Sequence, residues 1–247
     1  MRSARAIVAT WVALALVACG SGSDDSTITV FAAASLTDAF EEIADAFEDG
    51  EPGVSVRLNL AGSSSLREQV LQGAPADVVA TANPSVMDEL VDAGAVDRAE
   101  QFAANSLQIV VPRGNPAGVA DLDDFADADL LIGLCAAEVP CGEFARRVLA
   151  LAGVEPALDT NEPDVRALLT KVEAGELDAA IVYTTDVLAA GDGVEGIEIP
   201  EMQNAVATYP IAVVSETGDR SMADSFVAFV LGDVGQRILR EHGFGAP

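Results

Sequence analysis

From residue 27 onward, short runs rich in β-branched and apolar residues alternate with longer stretches whose apolar positions recur every three or four residues. The first pattern fits buried strands and the second fits helices with one apolar face. Strands are predicted at 28–32, 54–60, 77–81, 107–111, 130–134, 179–183 and 211–214. Helices are predicted at 36–48, 66–72, 84–93, 141–152, 163–174 and 222–242, the last with a break near Gly232. This alternation is that of α/β units built around largely parallel sheets. The periodicity alone does not decide between one sheet and two lobes.

The N-terminus reads differently. Arg2 and Arg5 precede an apolar run over 6–18, too short to span a bilayer but suited to a secretory signal. The run ends in Leu16, Val17, Ala18 and Cys19, which resembles the bacterial lipobox. That motif implies lipidation of Cys19 after removal of residues 1–18; an ordinary secretory signal is the alternative. Residues 19–26 are small and polar, as a flexible tether would be. A body leashed to the outer face of the cell membrane, or a periplasmic one, is expected.

Charge narrows the partners. Thirteen basic residues against forty acidic ones leave a net charge of −27, which repels nucleic acid and anionic lipid. The 50% apolar content is ample for a buried core. His242 is the only histidine and there are three cysteines, so zinc-binding spacings are absent and no protein-bound metal or cofactor is expected. A serine hydrolase using Ser35 or Ser63 would have to recruit that one histidine, and no GxSxG elbow is present.

Candidate binding chemistry lies at predicted helix starts. Ser35 with Asp38, and Ser65 with Glu68, have the spacing of capping boxes, which accounts for them without a ligand. Ser63 and Ser64, beside Gly62, are left over. Pro140 and Pro163 suit the first helical position, leaving the amides of Cys141, Gly142, Asp164 and Val165 without intrahelical acceptors. Such ends attract anions, although most in any α/β protein are merely solvated. Tyr183 ends a predicted strand, where its phenol either donates into a cleft or belongs to a half-buried ring at a sheet edge.

These positions fall within VFAAASLTDAFEEIADAF from Val30, AGSSSLREQV from Ala61, GAPADVVATANPSVMDEL from Gly73, NSLQIVVP from Asn105, EVPCGEFARRVL from Glu138, PDVRALLTKVEAGELDAAIVYTTD from Pro163, YPIAVV from Tyr209 and GQRILREHGFG from Gly235. In order and spacing the phrases closely resemble the periplasmic molybdate-binding proteins of bacterial ABC importers, over essentially all of 27–245. The resemblance implies a two-lobed periplasmic binding protein fold of the type II kind. Each lobe would be a mostly parallel sheet flanked by helices, with the ligand in the cleft between them. Lobe one would comprise 27–104 and 206–247, and lobe two 105–205. It further implies a tetrahedral oxyanion held by the hydroxyls of Ser35, Ser63 and Tyr183 and the amides of Cys141 and Val165, and delivery by a monomer to a membrane permease. Where the family commonly has alanine this chain has Cys141, with Cys135 six residues before it. Outside the membrane such a pair favours a disulfide over two free thiols.

A contact set made only of donors favours an anion without protons. Monohydrogen phosphate would bury an unpaired O–H at a cost of about 1–3 kcal/mol. Molybdate, tungstate and sulfate pass that filter equally, and the resemblance favours the first two.

Overall fold

The computed structural model describes residues 26–247; the expected signal peptide and the lipidation at Cys19 lie outside the described residues. The chain opens with strand β1 (Ser26–Ala33), a 3-10 turn at Ala34–Leu36 and helix α1 (Thr37–Gly50). Then come β2 (Val54–Ala61), α2 (Ser63–Leu71), β3 (Val78–Ala80), α3 (Pro84–Asp92) and the long β4 (Glu100–Pro112). The middle of the chain contributes β5 (Ile132–Cys135), α4 (Pro140–Ala152), β6 (Leu158–Glu162), α5 (Val165–Glu173), β7 (Ala179–Tyr183), α6 (Thr184–Ala190) and β8 (Val194–Glu198). It closes with β9 (Val206–Val213), α7 (Arg220–Leu231) and α8 (Asp233–Glu241), the last two separated at Gly232 as the sequence predicts. Among the described residues no helix is long and apolar enough to cross a membrane.

Two lobes share one curled, mixed sheet. In the first, strands run β2-β1-β3-β9-β4, with β1 parallel to β2 and β3, and β9 antiparallel to β3 and β4. In the second, β6, β5 and β7 are parallel, and β4 continues antiparallel to β7 and β8. The outer strands are therefore parallel as expected, while the central ones are not. Strands β4 and β9 carry the chain between lobes in opposite directions, so they must meet antiparallel. Strand β4 changes partner midway: Glu100–Ser106 pairs with β9, and Leu107 onward pairs with β7. At that seam the Asn204 carboxamide accepts from Leu107 N at 3.1 Å and donates to Leu107 O at 2.8 Å, completing its backbone pairing.

Amphipathic spacing explains the helix packing. On α1 the buried positions Ala39, Phe40, Ile43, Ala44 and Phe47 form one stripe. Phe40 meets Phe102 at 5.8 Å between ring centroids, and Phe47 meets Phe226 edge-on at 5.2 Å. These contacts clamp α1 and α7 to the first sheet, fixing the turn that begins α1.

Candidate functional site

Each element that points toward the cleft does so from the carboxyl end of a parallel strand, the usual ligand position in open α/β sheets. The end of β1 leads to Ser35, β2 leads to Ser63, and β7 ends on Tyr183. The end of β5 leads through a short loop to Cys141, and β6 leads to Val165. All five residues line one small cavity of about 20 Å³, partly open to solvent, with Ser35 and Ser63 from one lobe facing Cys141, Val165 and Tyr183 from the other. That space is little more than one water requires, so it suits only a compact ligand.

Neither predicted capping box forms. Helix α2 begins at Ser63 behind Gly62, with no side-chain cap. The Ser63 hydroxyl instead accepts from Ala82 N at 3.0 Å, which leaves its own proton free for the cavity. Ser35 sits in the 3-10 turn, 4% exposed, with its hydroxyl 3.1 Å from that of Tyr209. Pro140 does occupy the start of α4. Pro163 does not start α5; Asp164 is the cap, its carboxylate accepting from Ala167 N at 2.9 Å. Val165 is thus the first helical residue, and the N–H groups of Cys141 and Val165 meet no acceptor among the described residues. Asp164 also borders the cavity, a carboxylate that sequence reasoning left out of the contact set.

Tyr183 is no edge residue. Strand β7 lies between β4 and β5, and the ring is 1% exposed. Its hydroxyl is buried with no hydrogen-bond partner, an orphaned donor at the cavity wall. Burial holds the phenol well above its usual pKa, and the neighbouring Tyr209 and Asp186 push it further, although no hydrogen bond of acceptable geometry joins the two tyrosines. It is therefore a donor and not a phenolate.

The structure joins Cys135 to Cys141, with Cα atoms 5.7 Å apart. This closes a small ring over the start of α4. Gly142 is obligatory there, because a Cβ would lie 1.9 Å from Ala136 O. Intact-mass measurement before and after reduction should show a gain of about two daltons, the two hydrogens a reduced disulfide takes up. An unchanged mass with both thiols open to alkylation would refute the pairing.

Polar bridges across the cleft were not anticipated from the sequence. Ser64 donates to Glu138 O at 2.6 Å, and Asn83 donates to the Glu143 carboxylate at 2.8 Å. Arg166, one residue past Val165, pairs with Asp38 on α1 and reaches Ala34 O at 3.3 Å. Its Nε also lies 3.5 Å from buried Asp186. Burial raises the Asp186 carboxyl to about 7, against the pull of Arg166 and of the hydrogen bond from Tyr183 N. The Arg166 guanidinium is thus taken up by carboxylates, and the side chains lining the cavity include no cation. Ser35 and His242 both border a neighbouring cavity of about 270 Å³, but no hydrogen bond joins them: His242 Nε2 lies 2.9 Å from Glu42, while Ser35 contacts Tyr209.

Comparison with known proteins agrees with this architecture. The family of bacterial extracellular solute-binding proteins matches residues 28–245. The molybdate-binding protein ModA of Mycobacterium tuberculosis is 38% identical over 98% of this chain and 97% of its own length. That of Escherichia coli is 35% identical over 90% of each. Among solved structures, the substrate-binding domain of a putative molybdenum ABC transporter from Clostridium difficile superposes with a TM-score of 0.67 at 26% identity, covering 90% of this chain and 99% of that one. With a family match across nearly the whole described fold and close relatives along its full length, the chain belongs to the bacterial extracellular solute-binding proteins of the ModA type.

Proposed function

We propose that this protein captures molybdate, and also tungstate, in its interlobe cleft and delivers it to the membrane permease of an ABC importer. The observation that carries the reading is the convergence of three hydroxyls and two unpaired amides, from both lobes, on one small cavity. Hydrogen bonds to a charged acceptor contribute about 1.5–3 kcal/mol each, so a handful offset dehydration and reach micromolar to nanomolar affinity. Ser35, Ser63, Cys141, Val165 and Tyr183 are the ligand contacts in this reading, with no cofactor and no catalytic step. We assign 27–104 with 206–247 to lobe one and 105–205 to lobe two, a reading supported by the partner change in β4 two residues further on, between Ser106 and Leu107, and by the start of β9 at Val206. We further propose that the protein acts as a monomer held outside the cell membrane by a lipid on Cys19.

Calorimetry with molybdate, tungstate, sulfate and phosphate tests the assignment. Tight binding of the first two, weaker sulfate and no detectable phosphate is the expected order. Preference for sulfate would reassign the cargo, and no binding of any of the four would overturn the site.

A further inference from the structure

Ser35 does not stand alone behind the cavity. The N–H of Ser106 is a fixed backbone donor, and it gives its proton to the Asn105 carboxamide oxygen at 3.0 Å. The Thr184 hydroxyl lies 3.1 Å from the same oxygen and 2.9 Å from Ser106 O, with one proton between the two. The Ser106 N–H settles which way the Asn105 amide faces, leaving its NH2 to reach Thr185 at 2.8 Å and the Tyr209 hydroxyl oxygen at 3.5 Å. With the Tyr209 oxygen accepting there, and the nearby Tyr183 hydroxyl making no hydrogen bond, Ser35 at 3.1 Å is the partner left to take the Tyr209 proton. The Ser35 oxygen is then an acceptor on its inner side, and its proton has only the cavity to enter. Ser63 reaches the same condition by a simpler route, through the N–H of Ala82.

Tyr209 is fully buried, its ring set edge-on to Tyr183 and Phe244 with centroids 6.0 and 5.5 Å away. The phenol therefore cannot swing out of line. Without it, a serine hydroxyl is free to turn and present a lone pair to an incoming O–H.

We infer that Tyr209, oriented by Asn105, is a positioning residue that makes Ser35 a donor only, and that it thereby sets the selectivity of the cleft against oxyanions that carry a proton. The inference rests on the proposed oxyanion site and adds to it two residues that touch no ligand. Ser35 alone would explain affinity; the relay behind it explains why that serine does not also welcome a protonated anion.

Tyr209→Phe keeps the ring and removes only the hydroxyl. Molybdate and phosphate affinities are to be measured by calorimetry at neutral pH for the parent, Tyr209→Phe, Ser35→Ala and the double variant, with thermal unfolding recorded for each. Tyr209→Phe should weaken molybdate by about 2- to 12-fold, one neutral hydrogen bond, and raise the phosphate-to-molybdate affinity ratio by about 5- to 100-fold as the anion's O–H finds an acceptor. In the Ser35→Ala background the same change should leave that ratio unmoved, because there is no hydroxyl left to orient. Should Tyr209→Phe fail to fold, Asn105→Asp replaces the amide donor by an acceptor, draws the Tyr209 proton away from Ser35 and should raise the ratio likewise. A ratio equal to that of the parent in the folded variant overturns the inference even if affinity falls, since lost packing alone weakens both anions together. A parent that ignores molybdate, or a Ser35→Ala variant that binds it undiminished, overturns instead the site on which the inference rests.

Discussion

Ser63→Ala and Tyr183→Phe should each weaken molybdate binding by about 1.5–3 kcal/mol, roughly 10- to 150-fold, the larger loss falling to Tyr183→Phe. Each change deletes one donor to a buried anion, and the two hydroxyls differ in what remains. Ser63→Ala removes a group that also accepts from Ala82 N, so it leaves a backbone amide unpaired and lowers the stability of the fold as well as binding. Tyr183→Phe removes a hydroxyl that has no other partner, so the fold loses nothing and binding bears the whole effect. That variant should match or exceed the thermal stability of the parent while binding far less. Val165→Ala is the companion control, since it retains the N–H and should bind nearly as the parent does. If Ser63→Ala and Tyr183→Phe both remain folded and bind like the parent, the ligand lies elsewhere.

Gly62→Ala should reduce molybdate affinity by about 10- to 100-fold without removing any donor, because hydrogen bonds weaken steeply once their distance and angle are lost. A Cβ at Gly62 would stand 2.7 Å from Pro163 O and 3.4 Å from Asp164 Cβ, both across the cleft. Backbone strain is not the cause: φ at Gly62 is −58°, open to any residue. The added methyl is a wedge between lobes. It displaces the start of α5, with the Val165 amide, from the serines on the opposite wall. Since the clash is between lobes and not within one, unfolding temperature should move little. Parent-like affinity in Gly62→Ala would show that the lobes need not approach this closely to hold the ligand.

Much of the fold was legible because its elements are short and strongly periodic. Strands 28–32 and 179–183 and the stripe on α1 stand out in the apolar pattern. What escaped has physical reasons. The first half of β4, running from Glu100 to Ser106, is too polar to read as a buried strand, and it is paired only because β9 lies beside it. Strand β9 begins at Val206 rather than at 211, its early part masked by Pro210, which sits opposite a register shift between Gln101 and Ala103. Helix α6 follows Tyr183 without any intervening turn residue, so nothing in the sequence announces it.

At the site, local spacing and family likeness named the five groups facing the cavity, but not what stands behind them. Tyr209, Asn105 and Ala82 act through side-chain or backbone contacts formed only when distant strands meet. The separation of Ser35 from Tyr209 is 174 residues, beyond any motif. Pro163 suits a first helical turn and so makes Asp164 an amide donor by sequence, whereas its side chain is the stronger local signal and takes the cap.

The partner change within β4 has a genetic consequence. Ser106 and Val206 are direct partners in the antiparallel ladder, so the chain leaves and re-enters the first sheet at points about 5 Å apart. The hundred or so residues between them are an insert whose two ends already lie side by side. Recombination at those two codons would graft the Cys141, Val165 and Tyr183 donors as a block, while Ser35, Ser63 and Tyr209 stayed with the host. New cargo preferences are thus reachable by exchanging one half of a cleft, with the other half left folded and waiting.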